Sequence, residues 1–322
     1  LTGVSRFAKV SVFSGLNNLE DITLNPKYAA ICGYTQRDLE TVFRDHLQGA
    51  DMNKVSQWYN GYNFLGESVY NPFDILLFIR NDFIFNNYWF TTGTPTFLIK
   101  LIRKHNYYIP SLENLRVSNA LIDSFDIENI KLEPILFQAG YLTIREVGRA
   151  GAITMYRLAF PNLGTKYAFN DCVLGYLTGQ TGERAAFQTQ IYSILQTGNL
   201  NALEKTLTAL FASILYNNYV NNTISSYEGY FASVIYAYLA SLGLDITAED
   251  VTSKGRIDLT VKLDDKTYIL EFKVDQPGSA MAQLIAEHSQ DESLSEKNSL
   301  YLNGIDFSSE EKNIATFSWK KL

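Results

Sequence analysis

The stretch Arg256-Ile257-Asp258-Leu259-Thr260-Val261-Lys262-Leu263, then Asp264-Asp265, then Lys266-Thr267-Tyr268-Ile269-Leu270-Glu271-Phe272-Lys273-Val274 decides how the chain is read. Apolar residues recur at every second position, the repeat of a strand whose successive side chains point to opposite faces. Ile257, Leu259, Val261 and Leu263 share one face of the first segment, and Arg256, Asp258, Thr260 and Lys262 share the other. In the second, Tyr268, Leu270, Phe272 and Val274 face one way while Ile269, Glu271 and Lys273 face the other. Asp264-Asp265 is the simplest hairpin turn between them. With Leu263 opposite Lys266, counting back sets Asp258 across from Glu271 and Arg256 across from Lys273. A slip of one residue would put Asp258 opposite Phe272 and destroy the arrangement.

Directly opposed side chains have Cβ atoms ~5 Å apart, where like charges repel. Two carboxylates so placed can converge on a hard cation such as Mg²⁺, which binds oxygen ligands at ~2.1 Å. Lys273, two residues along on the same face, is in reach to orient a water or meet developing phosphate charge. That set suits metal-assisted hydrolysis of a phosphodiester. Glu228, on a helix expected from Tyr227 to Leu242, shares a face with Phe231 and Ile235, and a carboxylate on an apolar stripe needs a partner or faces a site. Gln283, on a helix expected over 279–288, offers an amide to the same pocket. Each residue also has an ordinary reading. Asp258, Glu271, Arg256 and Lys273 suit a salt-bridge ladder on a solvated face, Glu228 a helix N-terminus that favours an acid, and Gln283 a surface position.

Around this hairpin the last hundred residues read as strands near 246–252, 256–263 and 266–274, a helix over 279–288, and strands near 299–305 and 314–319. Led by the Glu228 helix, the order is αβββαβ with a further strand, a mixed α/β domain. Upstream the text is mostly helical. Leu39, Val42, Phe43 and Leu47 recur at helical spacing, Asn71-Pro72 starts a helix, and Gly140 closes one that ends at Phe137. Tyr141 to Val147 and Thr154 to Ala159 are strand-like around the turn-rich Gly148-Arg149-Ala150-Gly151. A hairpin after helices suggests a winged-helix-like unit. Two helical stretches follow, about 167–178 and 184–220. Val10, Val12 and Phe13 read as the end of a buried strand.

Composition excludes several classes. Hydrophobic residues make up 46% and charged residues 19%, which excludes a disordered chain. The 44 aromatics supply ample area for buried cores. No run of ~18 apolar residues marks a membrane span. Cys32 and Cys172 are too few for a disulfide framework, so a soluble cytoplasmic protein is expected. Residues 1–227 hold 18 basic and 18 acidic side chains, and residues 228–322 hold 9 and 16, so the last segment carries the net charge of −7. Nucleic-acid binding therefore has to rest on a site and not on a basic composition.

Asp258, followed thirteen residues later by Glu271-Phe272-Lys273, resembles the D…(D/E)xK signature of the PD-(D/E)xK nuclease superfamily. Ser253-Lys254-Gly255-Arg256-Ile257-Asp258-Leu259 is similar to one branch, in which the nuclease domain is fused to predicted AAA-ATPase-like domains. Trp58-Tyr59-Asn60-Gly61-Tyr62, Tyr70-Asn71-Pro72-Phe73, Phe137-Gln138-Ala139-Gly140-Tyr141-Leu142 and Gly304-Ile305-Asp306-Phe307-Ser308 look like stretches of the same architecture. The resemblance implies a restriction-endonuclease-like fold over 227–322, preceded by an ATPase-like remnant over 1–48, a helical and winged-helix-like region over 49–180 and a helical connector over 181–226. It implies that Asp258, Glu271 and Glu228 bind Mg²⁺ or Mn²⁺, that Lys273 orients water or stabilises charge, and that Gln283 assists. Ile257 stands where the family's proline is usual.

The phosphate loop G-x4-G-K-[ST] of the ATPase-like domain is absent, so the expectation is a fragment or split-gene product that lacks the nucleotide-binding half. The function expected is a Mg²⁺-dependent nuclease acting on nucleic acid, DNA first, with Arg256 and Lys254, then Lys100, Arg103 and Lys104, as phosphate contacts. The alternative is a catalytically silent nuclease-like module that serves as partner platform for the missing ATPase half.

Overall fold

The computed structural model describes residues 20–90, 96–104, 107–122, 131–180, 182–214, 228–251, 256–288 and 299–322, a mixed α/β protein with two sheets. The expected strand end at Val10 to Phe13 lies outside them. Contacts divide the chain into two compact units. One comprises the described residues up to Ile102 with Leu112–Phe169, the other Arg103–Ser111 with Asn170–Leu322.

In the first unit, polar caps start the helices. Thr35 and Asp38 exchange hydrogen bonds at the start of Gln36–Thr41, Asp51 caps Met52–Tyr59, and Asn71 caps Pro72–Arg80 with Pro72 in the first turn, as expected. Leu39, Leu47, Val55, Tyr59, Ile75 and Phe78 gather into one core. The helix expected to run on through Val42 and Leu47 ends at Thr41, and Val42 is exposed. Leu47 reaches the core from a following turn, and apolar spacing alone does not separate a turn from a continued helix.

The unit's sheet has strand order β1-β3-β2, with β1 Leu115–Ser118, β2 Thr143–Ala150 and β3 Ile153–Ala159, all antiparallel. Gly140, with φ at +78°, follows the helix Leu132–Gln138 as expected. The hairpin turn is tighter than its text suggests. Ala150 pairs with Ile153, and Gly151 alone takes the left-handed conformation at φ +62°. Gly148 and Arg149 therefore belong to the strand.

The second unit is built on a five-stranded sheet of order β4-β5-β6-β7-β8: Asp245–Val251, Arg256–Leu263, Lys266–Val274, Ser299–Ser308 and Asn313–Lys321. Only β6 and β7 run parallel, joined through the helix Ser279–His288. This helix covers one face of the sheet, where Leu284 packs on Ile269, Leu300 and Leu302. The opposite face is covered by the helix Glu228–Ala240, where Phe231 stacks on Phe307 with ring centroids 4.2 Å apart. Residues 230–240 of that helix are all buried.

The stretch read as one helix over 184–220 is two, Arg184–Thr197 and Leu200–Ser213. Gly198 at φ +70° ends the first and Asn199 caps the second. Expected as a connector, these helices supply Ile191, Leu195, Leu203 and Leu207 to the core beneath Tyr268 and Leu270. Each large apolar side chain so buried contributes ~1.5–3 kcal/mol.

Candidate active site

The hairpin register is the one the alternation predicts. Pairs run from Leu263 opposite Lys266 to Leu259 opposite Leu270, around a turn at Asp264-Asp265 where Asp264 has φ +53°. There the ladder stops. Beyond it Asp258 reaches across with its side chain: Oδ2 accepts the Phe272 amide at 2.9 Å, which ties the carboxylate to the strand segment carrying Glu271 and Lys273. The expected rungs between Asp258 and Glu271 and between Arg256 and Lys273 are therefore not part of the ladder, and Arg256 pairs with Val251 on β4. The Arg256 side chain and all of Lys254 lie outside the described residues, as do the side chains of Arg103 and Lys104. Lys100 is exposed on the helix Thr96–Lys104 in the first unit.

Glu271 is 1% exposed. Its Oε1 accepts from Lys273 Nζ at 2.8 Å, while Oε2 is buried with no hydrogen-bond partner among the described residues. Lys273 Nζ also donates to the Phe272 carbonyl at 3.0 Å and stands 3.8 Å from Glu228 Oε1, which reaches in from the first turn of its helix. Burial, joined by the charge of Asp258, pushes the Glu271 carboxyl up to about 7, against the pull of Lys273. Glu228 is raised by burial and by Asp258, again against Lys273. Burial alone would lower Lys273, but its hydrogen bond to Glu271 and the charges of Glu271, Glu228 and Asp258 outweigh it and raise the ammonium. Three acids and one lysine thus share a single electrostatic neighbourhood.

Residues 226–317 match the PD-(D/E)XK nuclease superfamily. This segment is a PD-(D/E)XK superfamily domain. Across almost the whole chain, 320 residues are 43% identical to an "Uncharacterized protein in vnfD 5'region" of Azotobacter chroococcum mcd 1, an alignment covering 98% of this chain and 62% of that protein. The chain thus spans less than two thirds of that relative's length. No solved structure matches the chain.

Superfamily members typically use divalent metal ions. Carboxylate oxygens are hard donors suited to such ions. A buried carboxylate oxygen without a partner costs stability unless something pairs with it, and Glu271 Oε2 is such an atom. Asp258 and Glu271 therefore fit a divalent cation. The three-carboxylate set of Asp258, Glu271 and Glu228 is not assembled: among the described residues no group of three or more Asp, Glu, His or Cys is gathered to hold a metal. The reason is visible in the side chains, because the Lys273 ammonium stands between Glu271 and Glu228.

Two neighbours of the PD-(D/E)XK site carried no role in the sequence reading. Gly304 is the parallel partner of Glu271 on β7, and a Cβ there would lie 2.4 Å from the Met281 backbone nitrogen, so the helix Ser279–His288 passes directly over it. Asp306, the partner of Lys273, is buried and accepts the amides of Gly278 at 3.0 Å and Ala280 at 3.2 Å, which fixes the start of that helix. Gln283 rides on it, half-buried, one position before Leu284. The signal available was a lone acid inside the apolar run of β7, a pattern that calls for a buried partner.

Among the described residues no helix is long and apolar enough to cross a membrane.

Proposed function

We propose that the protein is a Mg²⁺-dependent nuclease that hydrolyses phosphodiester bonds of nucleic acid, with Asp258, Glu271 and Lys273 as its working residues. The observation that carries this reading is Glu271, beside Asp258: its Oε1 accepts from Lys273, while its buried Oε2 has no hydrogen-bond partner among the described residues. Asp258 and Glu271 would hold the cation, with Mn²⁺ as its natural substitute. When bound, such an ion polarises a phosphoryl oxygen and offsets the charge of the transition state.

The chain's own residues do the rest. Lys273 orients the attacking water and meets charge developing on the phosphate. Water oxygen bonds to phosphorus, the bond from phosphorus to one sugar oxygen breaks, and that oxygen leaves carrying a proton as an alcohol. Glu228, 3.8 Å from the ammonium, is the second anchor for Lys273. Gln283 presents an amide from the helix above the acids, and Arg256 and Lys254, just before Asp258 in sequence, contact phosphate.

Cleavage of DNA and RNA oligonucleotides with Mg²⁺ or Mn²⁺ tests the reading. Activity in the wild type that Glu271→Gln abolishes is the expected result, and an unchanged rate in that variant would sink it.

The second reading, a silent nuclease-like module that docks a partner, is favoured by the acid excess of residues 228–322, 16 against 9. The retained acid pair and lysine oppose it. A neighbouring AAA-ATPase-like half and a winged-helix role for the β2–β3 hairpin belong to this proposal through sequence resemblance alone. Co-purification of the chain with a separately expressed ATPase-like half tests the first of these.

A further inference from the structure

The sheet of the first unit gathers three arginines at one end. Arg116 on β1 and Arg157 on β3 occupy directly paired positions. Side chains so opposed have Cβ atoms ~5 Å apart, and like charges there destabilise the pair. Alternation turns Val117, Tyr156 and Leu158 inward, where they are buried, and leaves the two arginines on the other face. Arg145 joins them from β2, where the register shifts between Ile144 and Glu146 and Arg145 is the extra residue. A bulge of this kind re-aims a side chain. Arg145 Nη2 donates to the Phe160 and Pro161 carbonyls, at 2.7 and 2.8 Å, just past the end of β3. Burial of that guanidinium, joined by the charge of Arg157, holds Arg145 below the usual arginine range, against Glu113.

Acids do not balance the group. Glu146 is engaged by Arg157, and Glu113 by Lys166 at 2.6 Å. Arg116 is exposed and makes no hydrogen bond or ion pair among the described residues. Three arginines and Lys166 thus meet two glutamates, a local excess of cations in a chain whose net charge is −7.

We propose that Arg116, Arg157 and Arg145 form a phosphate-binding surface for a nucleic-acid backbone. The inference rests on the nuclease reading and deepens it with a contact surface outside the superfamily match at residues 226–317. A guanidinium offers a rigid fork of donors that suits phosphate oxygens. A phosphate placed between Arg116 and Arg157 turns their repulsion into two attractions. The chain also needs such a surface. Residues 228–322, which carry the acids of the site, hold 16 acidic and 9 basic side chains and repel a polyanion in bulk. Affinity for a strand then has to come from a local cluster of cations.

The test uses the full chain and a fluorescein-labelled single-stranded DNA oligonucleotide, with anisotropy read without divalent ion from about 50 to 200 mM salt. Arg116→Gln should lower the slope of log K against log salt by ~0.7, the share of one single-strand phosphate contact. Arg116→Gln combined with Arg157→Gln should lower it by ~1.4, alike for every base sequence. Arg116→Lys keeps the slope, because the slope counts charge. Arg149→Gln, on the same hairpin but paired with Thr154 on the opposite face, keeps it too. Arg145→Gln follows Arg116→Gln; should it fail to fold for want of its two carbonyl contacts, the Arg116 and Arg157 variants carry the test. Wild-type slopes in all the arginine variants overturn the inference, while cleavage that Glu271→Gln abolishes leaves the nuclease reading standing. Slopes that fall as expected, in a protein that cleaves no oligonucleotide, sink the nuclease reading and keep the surface. No binding by wild type at the lowest salt overturns the inference. If sedimentation then shows self-association that Arg116→Gln weakens, the arginines meet the acids of a second copy instead.

Discussion

Two hairpins in this chain each place a glutamate against a basic side chain, and they treat it in opposite ways. In the β2–β3 hairpin Glu146 meets Arg157 at 2.5 Å, and that hydrogen bond, with the arginine's charge, holds the carboxyl below its usual range. In the β5–β6 hairpin Glu271 meets Lys273 at 2.8 Å, and its carboxyl is pushed up to about 7. The pairs differ little in distance and not at all in sign of charge. They differ in what lies above them. From Arg145 to Ala150 β2 is exposed, so water solvates Glu146 and the cation only adds to its comfort. β6 is buried on both faces, and there desolvation plus a second carboxylate outweigh the lysine. A salt bridge is ordinary on the open hairpin and chemically poised on the covered one.

The largest effect should come from neutralising each glutamate in turn. Glu271→Gln is expected to lower the cleavage rate by ~10²–10³-fold or more, whereas Glu146→Gln leaves it unchanged. Equal losses in a cleavage assay would break the contrast.

A smaller effect should follow a single methyl group. Gly304→Ala would drive a Cβ to 2.4 Å from the Met281 nitrogen and should cost ~1–3 kcal/mol in urea unfolding. Gly148→Ala, with nothing within 4 Å of the added Cβ, should be neutral or stabilise by up to ~1 kcal/mol.

The pH dependence sharpens the comparison further. The folded pKa of Glu271 lies above its ordinary value, so its contribution to stability is fully present below 4.5 and is lost as pH rises through about 7. Thermal melts should show Glu271→Gln gaining on wild type across that window. Glu146, with a lowered folded pKa, has the opposite sign. Its contribution is present at neutral pH and fades in acid, and because the group is exposed the change in Tm should be slight. A Glu271→Gln curve parallel to wild type would show that burial does not govern the site. Smallest of all, Arg157→Gln should lower Tm only slightly, as solvent screening leaves surface ion pairs little to contribute.

Much of this was legible without coordinates. Alternation from Arg256 to Val274 and the turn at Asp264-Asp265 carried the register, because one face of each strand is apolar and a slip would invert it. Asn71-Pro72 and Gly140 marked their helix ends through chemistry local to a few atoms. The Gly198-Asn199 break has a local signal too, a glycine followed by a capping asparagine, but apolar residues continue on both sides and mask it. β1 gave no signal, being four residues of mixed polarity whose strand character comes from pairing with β3. The hydrogen bond from the Ile109 amide to Ser233 Oγ gave none either, since it joins residues 124 positions apart.

The sequence by itself determined the turn and the register from Leu259 to Leu270, which bring Asp258 near Glu271 without a rung between them, because hairpin pairing depends only on neighbours along the chain and on which side chains are apolar. Tertiary structure alone decided what that meeting means. Parallel pairing with β7 set Gly304 and Asp306 beside the acids and let a helix close over them. The Glu228 helix covered the other face and put a second carboxylate near Lys273. Desolvation depends on everything packed around a group, which no local pattern encodes, and it is desolvation that separates Glu271 from Glu146.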